Sequence, residues 1–359
     1  MRRRVGLLGL GALGLTACNR PQAPAVITQP RVRWRLATSW PTSLDTLFGG
    51  VRALAEQVKQ LTDGRFTLTP FAAGEIVPGL QVLDAVRSGT VEAGHTASYY
   101  YLGQNPALVF GTGLPFGLTA QQQNAWWYAG GGLAAMQSLY QDFGVINFPA
   151  GNTGAQMGGW FRREVTSLSD LQGLKMRLPG LGGKVMAQMG VNVQVLPGSE
   201  LFLALERGAL DAAEWVGPYD DQRLGLPRAA RYYYYPGWWE PGPSVELLIN
   251  RRAWEQLPMS YQKALEQAAQ SMNLAMLSQY EARNQTTLQT LIAGNTQLRR
   301  YSDDILQTAW QVTQDLLADQ SRQSPAFQKI YQPWQKFQKD SLNWVKTDSL
   351  STIQRFLAP

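Results

Sequence analysis

The residues best placed to do chemistry lie within residues 172–215. One arginine, Arg177, closes the run LQGLKMR, and one acidic residue, Glu214, closes LERGALDAAE. Between them residues 191–196 form a short β-like run ending at Pro197-Gly198. The pattern reads as strand, helix, strand, with both charges at strand ends. In open α/β sheets ligands sit beyond the carboxyl ends of strands, so both charges would face a cleft. A guanidinium fork meets a carboxylate in two-point geometry, which points to a small organic acid as ligand. Structural uses compete for the same groups. Arg177 could pair with Asp211 or Glu206, and Glu214 could cap or bridge.

Hydrophobic spacing and turn signals give the elements that must hold these residues. Residues 34–40 (WRLATSW) read as a strand stopped by Pro41. From Ser43 as cap, Leu44, Leu47, Val51, Leu54, Val58 and Leu61 keep helical spacing. Asp63-Gly64 ends that helix and residues 65–69 alternate as the next strand. A β-α-β opening predicts a parallel or mixed sheet. An internal repeat sharpens this: residues 78–96 (PGLQVLDAVRSGTVEAGHT) align without a gap to residues 197–215 (PGSELFLALERGALDAAEW). Each copy is a helix, a glycine stop and a short strand, so two lobes of like topology should face each other. The copies diverge at their ends, His95-Thr96 against Glu214-Trp215, and function belongs at the divergence. His95, the single histidine, is expected to be a satisfied polar residue at the lobe interface.

Other segments frame the cleft. Tyr99, Tyr100 and Tyr101 and the Gly/Pro-rich residues 111–119 predict loops at its rim, and residues 125–136 a helix with a loose turn. Gln156, in NTGAQMGGWF, precedes a strand ending at Arg162-Arg163. Tyr232 to Tyr235 and Trp238-Trp239-Glu240 form an aromatic run that suits either packing or a cleft wall. Residues 260–293 contain neither Pro nor Gly and keep helical spacing, so one long helix bridges both lobes or packs on a partner. Helices are expected over 303–318 and from 326 to about 344.

Composition narrows the function. Of 359 residues, 45% are hydrophobic, enough for two packed domains. The net charge of +6 rests on arginines within the first tenth of the chain, and no basic stripe interleaves with aromatics, which argues against nucleic acid. The glycine run PGLGGKV at residues 179–185 has Val185 where a phosphate loop needs Ser or Thr. Arg2-Arg3-Arg4 followed by a short apolar run reads as a signal peptide over residues 1–17. Leu15-Thr16-Ala17-Cys18 is similar to a bacterial lipobox, so Cys18, the only cysteine, is the expected lipidated residue. Residues 18–33, rich in Pro and Gln, read as a flexible tether. The expected location is the periplasm, with the chain anchored in a membrane.

WRLATSWP, residues 61–95, LQGLKMRLPG and ERGALDAAEW together resemble the solute-binding proteins of TRAP (tripartite ATP-independent periplasmic) transporters, the DctP family. The resemblance covers roughly residues 34–330. It implies an α/β, two-lobed periplasmic-binding-protein-like fold with a central cleft, a long lobe-spanning helix and a C-terminal helical extension. On that pattern lobe I takes residues 34–152 with about 246–270, lobe II takes 153–245 with about 271–330, and the extension is 331–359.

NTGAQMGGWF, DAAEWVGPYDD and YPGWWEPGP are similar to the branch that binds 2-oxo or 2-hydroxy monocarboxylates, pyruvate-like or lactate-like, with a metal cation. That implies Arg177 as the carboxylate partner, and Gln156, Glu214, the Trp215 carbonyl and Glu240 as metal ligands, with Gln156 touching substrate as well. Asn152 and Tyr100 are further candidates for hydrogen bonds to the ligand. All-oxygen ligation suits Na⁺ or Ca²⁺. Two cleft carboxylates would repel an anionic solute unless a cation offset them. Gln156 could instead satisfy buried backbone, and Glu240 could pair with Arg231. The resemblance also implies no enzyme activity, delivery to TRAP integral-membrane subunits, and a homodimer built through the C-terminal helices. Two rival readings are a secreted metal-dependent enzyme acting on 2-oxo acids and a lipoprotein that senses or relays ligand occupancy.

Overall fold

The structure, a computed structural model, describes residues 29–348, so Cys18 and the signal-like leader lie outside the described residues. Strand β1 (Val32–Thr38) is followed by helix α1 (Leu47–Leu61), which turns Leu47, Phe48, Val51, Leu54, Ala55 and Val58 inward. Strand β2 (Phe66–Phe71) then returns parallel to β1. The helix starts later than its sequence pattern suggests. Leu44 is buried in a preceding turn, and Ser43 gives its carbonyl to Arg223 instead of capping.

Two sheets form. In the first, the order is β2-β1-β3-β10-β4, with β3 (Ala93–Thr96) parallel to β1, and β10 (Ser244–Asn250) antiparallel to both β3 and β4 (Val145–Asn152). In the second, β6 (Lys175–Arg177) is parallel to β7 (Asn192–Gln194) and β8 (Ala212–Ala213). Strand β5 (Trp160–Phe161) runs antiparallel to β8 and to β9 (Tyr232–Tyr235), and β11 (Gln297–Arg300) extends the edge beside β9. The order β7-β6-β8-β5-β9 thus repeats that of the first sheet, pairing for pairing. Strand β4 of the first sheet leads directly into β5 of the second, and β9 of the second leads directly into β10 of the first. Residues 153–159 and 236–243 are therefore the two crossings between lobes.

The sequence repeat is a structural repeat. Helix α2 (Val82–Ser88) corresponds to α4 (Leu201–Glu206), and each is followed by a left-handed glycine, Gly89 at φ 77° and Gly208 at φ 74°. The amide of Val91 bonds the Ala85 carbonyl at 3.3 Å, as Leu210 bonds Ala204 at 3.0 Å. Glu92 accepts the Arg35 amide at 2.8 Å, and Asp211 accepts the Lys175 amide at 2.9 Å. Helix α3 (Gly180–Gln188) connects β6 to β7 as α1 connects β1 to β2.

A third link is the long helix α6 (Met259–Ala293), which bridges the lobes. Its first half packs on β4 and α1, and its second half meets α5 (Pro218–Arg223), where Tyr280 donates to Asp220 at 2.7 Å. The following helices run longer than their sequence patterns, α7 over Asp303–Gln323 and α8 over Pro325–Thr347. Helix α8 returns to the first lobe, where Phe327, Tyr331 and Trp334 surround Phe110. The expected loose turn within 125–136 separates two helices, Ala120–Tyr128 and Gly132–Tyr140.

Polar groups inside the first lobe are satisfied in pairs. Trp40 donates to His95 Nδ1 at 2.7 Å, and His95 Nε2 meets the Ala150 carbonyl at 3.0 Å. Burial pulls the His95 pKa down to about 4, so it stays a neutral structural residue, as its sequence setting suggests. Glu246, on β10, accepts from Asn147 at 2.6 Å and Tyr140 at 3.3 Å, and burial pushes its pKa up to about 7. A folded carboxyl with a raised pKa holds its proton while the unfolded chain releases one, so stability falls as pH rises from about 4.5 to 7 and levels off above. Glu246→Gln removes that titration. The melting difference between wild type and variant should therefore shift in the variant's favour over this window, by about 3 kcal/mol. A difference independent of pH contradicts the assignment.

Candidate carboxylate and cation site

Strands β6 and β8 are parallel neighbours, with Arg177 opposite Ala213, so Arg177 and Glu214 leave the sheet side by side at its carboxyl end. Arg177 is fully buried. Its Nε donates to the Leu196 carbonyl at 3.1 Å, and Nη1 donates to the Glu214 carbonyl at 2.6 Å and to Glu214 Oε2 at 3.0 Å. The guanidinium lies 5.0 Å over the Trp215 ring. Only Nη2 is loosely held, 3.5 Å from the Tyr100 hydroxyl. The fork is thus oriented by one edge and presents the other to the cleft. Asp211 and Glu206, the alternative partners, do not pair with it; Asp211 is engaged with the Lys175 amide.

Gln156 and Glu240 come from the two crossings. Gly237 donates its amide to the Gln156 carbonyl at 3.2 Å, and a Cβ there would sit 2.4 Å from that oxygen, so only glycine admits the approach. The same turn carries Glu240, whose amide bonds the Gly237 carbonyl at 3.2 Å. One end of the Gln156 amide lies 2.7 Å from Glu214 Oε1 and 3.1 Å from Glu240 Oε2, and its other end lies 3.1 Å from Thr153 Oγ1. With nitrogen facing the carboxylates, the amide bridges them. With oxygen facing them, three oxygens converge at a spacing that repels unless a cation lies among them. The donor set is therefore hard and all-oxygen, fitting Na⁺ or Ca²⁺. Among the described residues there is no cluster of three or more His, Cys, Asp or Glu, so an amide or carbonyl has to complete any ligand set here.

Charge reinforces this. Burial drives the Glu214 carboxyl well above its ordinary range, with Arg177 opposing and Glu240 adding to the rise. Burial likewise pushes Glu240 up to about 8, against the pull of Arg177. One guanidinium faces two carboxyls, and an incoming anion would add a third negative group.

Around these groups the cleft narrows to a cavity of about 20 Å³ walled by Trp40, Tyr99, Tyr100, Gln156 and Trp215, room for one or two water-sized bodies. Tyr99 and Tyr100 also border an open groove of about 390 Å³ whose walls include Leu102, Leu178, Val193 and Val195, with Lys184 at its side.

Six of the residues singled out from sequence gather here: Arg177, Gln156, Glu214, Trp215, Glu240 and Tyr100. Asn152 does not present its amide to the cleft. It donates to the Gly242 carbonyl at 3.1 Å and Ser244 Oγ at 3.4 Å, and accepts the Gly154 amide at 2.8 Å, which ties the two crossings together. Glu240 is not paired with Arg231, which donates to the Tyr232 hydroxyl instead. The tyrosine run is strand β9, with Tyr233 and Tyr234 buried as core. Sequence reasoning missed Thr153, which holds Gln156, and the Leu196 carbonyl, which aims Arg177. Thr153 sits in the same NTGAQ segment and was findable there, whereas a backbone carbonyl leaves no residue-type signal.

Comparisons with known proteins place the chain in a family. A family model described as bacterial extracellular solute-binding protein, family 7 (DctP), matches residues 36–323. The chain is 55% identical, over 98% of each sequence, to a monocarboxylate 2-oxoacid-binding periplasmic protein of Nostoc sp.. It is 45% identical to a TRAP transporter solute-binding protein of Bordetella bronchiseptica, a mixed-occupancy dimer with copurified calcium and picolinate (TM-score 0.89, covering 90% of this chain and 97% of that one). It is 36% identical to a TRAP periplasmic solute-binding protein of Pseudoalteromonas atlantica with bound sodium and pyruvate (TM-score 0.88, covering 91% of this chain and 99% of that one). The chain belongs to the DctP family, the extracellular solute-binding proteins of TRAP transporters.

Proposed function

We propose that this protein captures a small 2-oxo or 2-hydroxy monocarboxylate, pyruvate-like or lactate-like, together with a metal cation, and delivers it to TRAP integral-membrane subunits for uptake. The observation that carries this is the half-satisfied, fully buried guanidinium of Arg177 beside the Gln156, Glu214 and Glu240 oxygens. In this reading the free edge of Arg177 takes the ligand carboxylate and Tyr100 donates to it. Gln156 Oε1, Glu214, Glu240 and the Trp215 carbonyl hold the cation, which supplies positive charge where carboxylates crowd. Asn152 acts indirectly, by fixing the crossing that carries Gln156. The groove beyond Tyr99 and Tyr100 is largely apolar, which favours one carboxylate and a short tail over a diacid.

Lobes divided as 34–152 with about 246–270 and 153–245 with about 271–330 would close around the ligand by flexing at the crossings, since the cleft is too narrow for a solute to enter unless the lobes part. Leu342 and Trp344, near the end of α8, are 44% and 66% exposed, apolar surface that suits a homodimer made through the extension from about residue 331. Lipidation at Cys18 would tether the chain on the periplasmic side of the membrane. Turnover of a 2-oxo acid is the weaker reading, because the single histidine is locked between Trp40 and Ala150 and has no access to the cleft.

Calorimetric titration with pyruvate tests the proposal. Arg177→Ala should weaken binding by about 100-fold or more, the scale of a lost buried charge pair, and Arg177→Lys by roughly tenfold because a point charge replaces a fork. Affinity unchanged in Arg177→Ala, with the fold intact by melting, removes Arg177 from the site. Chelation should abolish tight binding, and Ca²⁺ should restore it better than Na⁺. With ligand present, three carboxylates face one guanidinium, and a divalent ion brings that set to neutrality. Equal affinity with and without cation would discard the metal ligands and leave the arginine.

A further inference from the structure

At the opposite end of the second sheet, where β5 stops and β8 begins, lies a hollow of about 460 Å³ lined by Arg162, Arg163, Asp211, Arg228 and Arg231. Several other surface arginines among the described residues are neutralised by ion pairs: Arg35 pairs with Glu92, Arg251 with Glu255, Arg299 with Glu164 and Arg300 with Asp303. None of the four arginines in the hollow forms an ion pair. Two are held by aromatic faces: Arg228 lies 4.7 Å over the Phe202 ring, and Arg231 lies 4.8 Å over the Tyr232 ring. Stacking fixes a guanidinium plane without cancelling its charge and leaves most of its in-plane N–H donors unused. Arg231 gives one donor to the Tyr232 hydroxyl at 2.7 Å, and Arg163 gives one to the Asp170 carbonyl at 3.3 Å, both neutral acceptors. The one carboxylate lining the hollow, Asp211, is occupied on one oxygen by the Lys175 amide. Four positive charges and one negative one therefore line the hollow, with two of the four guanidinium planes held by rings and donors to spare.

We propose that this hollow binds a phosphate group, carried by an anionic phospholipid headgroup or free in solution. Guanidinium forks match the oxygens of a phosphate, and arginines held by rings need little reordering to receive one. The site is separate from the carboxylate site, since it lies at the amino end of β8 and Glu214 follows the carboxyl end. Loading it leaves solute capture untouched, or couples to it only through the sheet.

The test has two arms on the full chain at low ionic strength. One is calorimetry with inorganic phosphate. The other is cosedimentation with phosphatidylglycerol vesicles against phosphatidylcholine vesicles, where a lipid tether contributes equally and only the difference counts. Saturable phosphate binding that falls about tenfold or more in Arg228→Gln/Arg231→Gln supports the site with free phosphate as source. A phosphatidylglycerol preference lost in the same variant supports it with the headgroup as source. Both signals should weaken with salt. Arg162→Gln/Arg163→Gln repeats the test should the first variant fail to fold, and pyruvate titration of each sample reports folding and the carboxylate site independently. Absence of both signals overturns the proposal, as does retention of either in both variants. Binding of a polyglutamate peptide without phosphate or vesicle binding overturns it in favour of an acidic protein partner.

Discussion

A fully buried guanidinium must be met on every side, and the geometry of this protein follows from how Arg177 is met on one side only. Leu196, Glu214 and the Trp215 ring fix its plane, and the fourth direction opens to Tyr100 across the cleft. Removing a charge from water costs several kcal/mol unless partners replace the hydration. Glu214 supplies part of that replacement and is itself buried beside Glu240, and burial pushes both carboxyls toward their neutral forms, so ionising both calls for more positive charge than one guanidinium supplies. Affinity for a carboxylate and affinity for a cation are thus two sides of one electrostatic constraint.

The duplicated architecture shows where that constraint was installed. In the first lobe, Ala37 holds the position that Arg177 holds in the second, and His95-Thr96 stand where Glu214-Trp215 stand. The first copy is filled by an internally satisfied set, Trp40, His95 and Ala150. The second copy is charged and incompletely satisfied, and the crossings at Gln156 and Glu240 bring further polar groups to it. Because these crossings join strands of the two lobes, ligand and cation contacts there bear on the same segments that must bend for the cleft to open.

Much of this was legible in the sequence. The repeat fixed Ala85 against Ala204 and Glu92 against Asp211, and both pairs have matching hydrogen bonds in the structure. The absence of Pro and Gly over residues 260–293 marked the bridging helix, because helical spacing survives that long only where nothing interrupts it. Helix starts were less legible: Leu44 keeps the apolar period but packs from a turn, since burial and helicity share one signature. Asn152 has a residue type suited to ligand contact, yet it ties the crossings together, a role set by tertiary approach that no local pattern reports. The aim of Arg177 rests on backbone carbonyls, which every residue type supplies alike.

The most direct measurement is a crystal structure of the protein grown with pyruvate and Ca²⁺. The expected result is a cation about 2.3–2.6 Å from Gln156 Oε1, Glu214, Glu240 and the Trp215 carbonyl, the usual range for calcium–oxygen bonds. The pyruvate carboxylate should lie against the Nη2 edge of Arg177, with the Gln156 amide turned so that its oxygen faces the cation. A ligand bound away from Arg177, or a cation held by other residues while Gln156 still bridges Glu214 and Glu240 through its nitrogen, would contradict the central claim.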